Sequence, residues 1–189
     1  MDSKKLEKLL SGYNILQSRR TSRTSKSEKQ SLPSMLTIFR ELIVDDIPPT
    51  QQRFIDEFHE KFPYTKNKRL TPRLKRAYLS FIREYHLGFL LREHFNEVIY
   101  DEDLDIIAGI DYIIVEGGTR FNIHAFVDTE NGRYWRQKKE ARHQFIGEHI
   151  NLPLNLDKGK RVGPFVLYSK KDMVWLKEEI QKIIATFGG

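Results

Sequence analysis

Cysteine is absent from this 189-residue chain, which excludes a disulfide framework, a thiolate nucleophile and any zinc or iron–sulfur centre built on cysteine. No apolar run approaches the roughly 20 residues of a membrane-spanning helix, and the opening MDSKKLEKLL has no secretory apolar core. A cytoplasmic protein is expected. Acids are scarce in stretches where bases are dense. Residues 64–78 (YTKNKRLTPRLKRAY) hold six Lys or Arg and no acid, 133–143 (RYWRQKKEARH) hold five against one, and 1–31 hold eight against three. The net charge of +6 is modest. Its clustering, with aromatics interleaved in two stretches, suits contact with nucleic-acid phosphates, although any one stretch could equally be a solvated helix face.

What is present is the composition of a folded protein, 39% hydrophobic and 31% charged, of a length that suits one domain with a small helical appendage. Leu6, Leu9, Leu10, Tyr13 and Leu16 predict a short amphipathic helix over 3–17. Residues 18–33, rich in Ser, Thr and base, read as a linker or arm. Helices are expected over 34–44 and 50–62, then a long one from Thr71-Pro72 to about Phe95, with a stripe of Leu74, Ala77, Tyr78, Phe81, Tyr85, Gly88 and Phe89. Strands are expected at 98–100 (an edge), 109–115, 120–128 and 163–168, the middle two joined at Gly117-Gly118 by a two-residue turn. A closing helix starts behind Ser169, with Asp172 three residues on. The pattern is α+β, a small sheet flanked by helices, without internal repeats.

With Gly117-Gly118 as the turn, paired residue numbers sum to about 235, so Asp111 opposes His124 and Ile113 opposes Asn122. Alternation then puts Asp111, Asn122, His124, Phe126 and Asp128 on one face, and Ile110, Tyr112, Ile114, Ile123, Ala125 and Val127 on the other. An Asp within an apolar strand is costly unless it meets a metal, a cation or several donors. The alternatives are a structural Asp bonded to a neighbouring loop and, for His124 taken alone, the commoner satisfied core histidine. A carboxylate followed on the next strand by polar side chains also suits Mg²⁺, which takes hard oxygen ligands. Elsewhere the chemistry is thin. His143 and His149 are poorly spaced for one helix, Glu148-His149 lacks the second His of a zinc protease, and Gly117-Gly118 opens no helix that could cradle phosphate.

Three segments in order, SFIREYHL, DIIAGIDYII and the Gly-Gly hairpin into FNIHAFVDT, resemble the TaqI-type restriction endonucleases, which carry the PD-(D/E)XK nuclease core. The resemblance covers about Ser80 to Thr129. It implies a restriction-endonuclease-like α+β core with a small central mixed sheet, so that 1–33 would be an N-terminal helix and basic arm and 34–189 a nuclease-like domain. It also implies a type II enzyme that hydrolyses double-stranded DNA site-specifically with Mg²⁺, Mn²⁺ substituting. Such an enzyme would be a homodimer, with a cognate DNA methyltransferase encoded nearby. Asp111 would be the metal-binding aspartate, Asp105 a second acid and Glu84, on the long helix, a third, with Asn122 and His124 completing the cup. The family's returning strand bears adjacent lysines, one of them catalytic. Here those places hold Phe126 and Val127, and the acid-x-lysine reads Asn122-Ile123-His124. Lys139, on an expected helix, is the candidate substitute, equally readable as a phosphate-gripping or solvated lysine. Arg69, Arg73, Arg76, Arg133, Arg136, Lys138 and Arg142 are the expected DNA contacts. A non-catalytic DNA-binding relative, an RNA-processing nuclease and a protein-interaction domain remain the alternatives.

Overall fold

The computed structural model describes residues 1–16, 34–63, 70–140 and 147–187, the side chains of 139, 140 and 187 excepted. The arm expected over 18–33 lies outside the described residues. Among them, no helix is long and apolar enough to cross a membrane. The fold is α+β, and its contacts divide it into two compact units, one of residues 3–83 with 162–165, the other of residues 84–161 and 166 onward.

The first unit is helical: α1 (Ser3–Ser11), α2 (Met35–Glu41), α3 (Gln51–Lys61) and the first part of α4 (Leu70–His94). Hydroxyls start two of them, Ser34 accepting from the Thr37 N–H and Thr50 from the Arg53 N–H, both at 3.3 Å. Two expected helices prove shorter. α1 gives way at Gly12, after which the Tyr13 hydroxyl donates to the Pro48 carbonyl and the Leu16 N–H to Gln51 Oε1, each at 2.6 Å. α2 ends before 44, where Asp45 and Asp46 adopt left-handed backbone between the bridged Val44 and Ile47. The core centres on Phe39, which meets Phe54 and Tyr78 edge-on with centroids 6.1 Å away. Tyr78 donates to the Pro49 carbonyl at 2.8 Å. Burial, and then nearby Tyr13, push its phenol far up, so it stays a donor.

The second unit holds a mixed sheet of β1 (Glu97–Ile99), β2 (Tyr112–Glu116), β3 (Thr119–Val127) and β4 (Glu148–Leu154) in that spatial order, antiparallel except for the parallel β3–β4 pair. It is flanked by helices: α5 (Glu102–Ala108), α6 (Glu130–Glu140), α7 (Lys170–Phe187) and the end of α4. The hairpin register is the expected one, with Ile113 opposite Asn122 and Glu116 opposite Thr119. Gly117 (φ 58°) and Gly118 (φ 76°) both sit in the left-handed region, which such a turn requires and glycine takes at least cost. β4 was not expected. EHINLPL alternates buried and solvent-facing residues as a strand should, and α6 supplies the crossover that parallel pairing needs. The strand expected over 163–168 is β6 (Phe165–Leu167), which pairs with β5 (Lys160–Val162) in a ribbon separate from the four-stranded sheet. α7 starts as foreseen, the Asp172 carboxylate accepting from both the Ser169 N–H and hydroxyl at 2.6 and 2.8 Å.

The packing departs from the stripe of α4 and from the strand face given to Ile110. From Tyr85 to Leu91 every residue of α4 is buried, so this part has no single apolar stripe. Leu87, Leu90 and Leu91, rather than Tyr85 and Phe89, join the core formed with Tyr112, Ile114 and Ile123. Ile110, outside the strand, clusters with Ala108 and Ile113 and not with that core.

Gly88 marks the tightest approach of helix to sheet. A Cβ there would lie 2.4 Å from the Tyr112 hydroxyl oxygen and 2.9 Å from its ring carbon Cζ, while that hydroxyl donates to the Glu84 carbonyl at 3.0 Å. Alanine in a helix gains about 1 kcal/mol over glycine, whereas overpacking costs about 1–3 kcal/mol. Tyr112 is only 2% exposed and has nowhere to retreat, so the clash wins. Gly88→Ala is expected to lower unfolding stability by about 1–2 kcal/mol in urea titrations, and adding Tyr112→Phe to recover part of it. Wild-type stability in Gly88→Ala would show the ring free to swing aside.

Candidate metal centre

Helix α5 is fixed at both ends. The Asp101 carboxylate accepts from the Leu104 N–H at 3.1 Å. At the other end Gly109 turns left-handed (φ 63°) and returns its N–H to the Asp105 carbonyl at 2.9 Å. This reversal lets Asp105 and Asp111 meet. Asp111 is then tied twice to β3: its N–H donates to the Ile123 carbonyl at 3.0 Å, and its Oδ2 accepts from the Ala125 N–H at 2.6 Å. Glu84 comes from α4, one helical turn before Gly88 and on the same side.

The result is one convergent group. A carboxylate oxygen from each of Glu84, Asp105 and Asp111 lies within 4.8 Å of the others. Asp111 is 8% exposed, and the other two are half-buried. Carboxylates this close repel one another unless a cation or a shared proton lies among them. Their hard oxygens fit Mg²⁺ or Mn²⁺ better than a soft metal.

His124 does not join that group. Its Nδ1 lies 2.6 Å from the Gly109 carbonyl, so Nδ1 carries a hydrogen and donates it. Its Nε2 then accepts from His149 Nδ1–H at 2.8 Å, and the two rings lie within 7° of parallel. His149 Nε2 in turn accepts from the Asn122 amide at 3.4 Å, and Asn122 Oδ1 accepts from Arg120 Nε–H at 3.1 Å. The chain thus runs donor to acceptor from Arg120 to the Gly109 carbonyl. Both ring nitrogens of His124 and both amide atoms of Asn122 are engaged in this chain. It grips the Gly109 carbonyl and so steadies the loop between Asp105 and Asp111. Sequence reading weighed His149 only as a metal ligand and set it aside, missing its place beside His124. The available signal was the alternation of EHINLPL, which in parallel register sets His149 opposite Asn122.

The basic residues divide. Arg69 and Arg142, and the side chain of Lys139, lie outside the described residues. Arg76 is exposed, while Arg73 is half-buried. The Arg73 Nη1 is enclosed without a hydrogen-bond partner among the described residues. Burial first, and then the Arg76 charge, lower its pKa from the ordinary value. Arg136 departs from expectation. Only 8% exposed, it donates from Nε to Asn151 Oδ1 at 2.5 Å, pinning α6 to β4, and a guanidinium enclosed there cannot reach a DNA phosphate. Arg133 is exposed and pairs with Asp128 at 2.5 Å. Lys138 holds its ammonium 4.7 Å from the centre of the Tyr134 ring and 5.5 Å from that of Trp135.

No protein-family model, curated protein or solved structure matches the chain.

The split among the arginines is measurable. Arg136→Ala removes a buried, charge-assisted bond and is expected to cost about 1.5–3 kcal/mol of unfolding stability. Arg133→Ala removes an exposed pair and should cost under about 1 kcal/mol. Equal losses in the two variants would contradict the anchoring role of Arg136.

Proposed function

We propose that the chain is a type II restriction endonuclease, hydrolysing phosphodiester bonds of double-stranded DNA at specific sites with Mg²⁺. The observation that carries this reading is the convergence of Glu84, Asp105 and Asp111, from three different elements, to within 4.8 Å. The mixed sheet flanked by helices supports it, because that is the architecture implied by the resemblance to TaqI-type enzymes. When bound, a magnesium ion would polarise a phosphate oxygen and acidify a coordinated water.

The chain's own residues have separate tasks in this reading. Glu84, Asp105 and Asp111 hold the ion. The Ala125 N–H orients the Asp111 carboxylate, and His124 restrains the loop carrying it. Lys139 supplies the positive charge toward phosphorus that the family's lysine would have given. Arg76, Arg133 and Lys138 meet backbone phosphates, which position the DNA without reading its sequence. Two copies acting on opposite strands account for a double-strand cut. The substitution of Phe126 and Val127 for the family's lysines favours one second reading, a relative that binds DNA and does not cut it.

Cleavage of a complex DNA decides between them. Wild type with Mg²⁺ or Mn²⁺ should give discrete fragments, and Asp111→Asn should slow cutting at least by the roughly 10- to 100-fold that loss of even a ligand's supporting partner costs, while still retaining DNA in a mobility-shift gel. Intact DNA under both ions would reject the nuclease and leave the binder. Ion binding can be tested without turnover. At Mg²⁺ about 100-fold above its Kd, linkage adds about 2.7 kcal/mol, which for a chain of this size raises the thermal midpoint by about 5–10 °C. Asp111→Asn should lose most of that shift, and a wild-type midpoint indifferent to both ions would remove the metal site.

A further inference from the structure

The solvent side of α6 carries a feature that the metal centre does not use. Tyr134 and Trp135 are 48% and 46% exposed, and their rings meet edge-on, centroids 5.4 Å and planes 75° from each other. Lys138, one turn on, keeps its ammonium 4.7 and 5.5 Å from the two ring centres. Large aromatics left this open are unusual, and grouped ones mark a contact surface. The helix beneath them is held firmly, since Arg136 bonds to Asn151 and Arg133 to Asp128.

We propose that Tyr134, Trp135 and Lys138 form a stacking platform for an unpaired base of single-stranded DNA, a reading that rests on the proposed DNA-handling function. Charge selects this occupant. Beside the rings, the solvent side of α6 offers the Lys138 ammonium and the exposed Arg133, so an anionic backbone is favoured alongside the rings. The rings select the rest, because every base offers a π face. A paired base has both faces covered by its neighbours, so only one out of its stack can use the platform. The nuclease would thereby hold a strand end, or a base displaced from the duplex, at a place separate from the three acids.

Trp135 reports on this directly. In the full chain carrying Trp175→Phe, which leaves Trp135 as the single tryptophan, titration with oligo-dT should quench fluorescence. Trp135→Ala and Tyr134→Ala should each weaken oligo-dT binding about 5- to 100-fold. Trp135→Phe, which keeps a π face, should retain most of the affinity, and unchanged circular dichroism would show that the variants fold. Duplex binding and Mg²⁺-dependent cutting, measured in parallel, separate the two proposals. Duplex binding with no Trp135 quenching by oligo-dT overturns the platform and leaves the nuclease standing. Quenching without cleavage leaves the platform and removes the nuclease. Tenfold preference for oligo-U over oligo-dT, or a loss of self-association in Trp135→Ala with oligo-dT affinity unchanged, would also overturn the assignment.

Discussion

The hydrogen bond from the Ala125 N–H to the Asp111 carboxylate joins the sheet to the acidic group. It exists only because the β2–β3 hairpin holds one register, set by two left-handed glycines at the turn. A slip of one residue would turn the side chains of a strand to the opposite face. A slip of β3 would take Phe121 and Ile123 out of the core and break the bond from the Ala125 N–H to Asp111. Hydrophobic burial, turn chemistry and carboxylate placement therefore enforce the same alignment, which is how a sequence specifies one structure.

Much of this was legible in advance, for physical reasons that differ by element. The hairpin was legible because Gly-Gly between alternating strands has few other meanings. The sum rule then placed Asn122 opposite Ile113 without further input. Glu84 was singled out through the resemblance, which implies a further acid on the long helix, and not through its own pattern. Helices α2 and α3 were expected over 34–44 and 50–62, and the residues that open those ranges, Ser34 and Thr50, prove to be their caps. β4 was hidden because the signal of a parallel partner lies in a distant segment, and no turn residue announces it. The sheet-facing side of α4 was hidden as well, since a helix end buried all round carries no phase.

The basic stretch 133–143 shows the limit most plainly. In sequence Arg133, Arg136 and Lys138 are three similar cations. In the fold one is walled in against Asn151, one pairs with Asp128, and one lies over two aromatic rings. Which it would be depends on the phase of α6 against a strand that sequence reading had not found. Likewise His124, considered as a ligand, has both nitrogens committed, one of them to a histidine on that same strand.

The parallel pairing of β3 with β4 has a kinetic side. Residues 128–147, including all of α6, separate the two strands, whereas the β2–β3 hairpin closes across two glycines. Local hairpins form within microseconds, and pairings over long loops come later. The hairpin that fixes Asp111 therefore closes before β4 docks, and the imidazole clasp from His149 locks an arrangement already laid down.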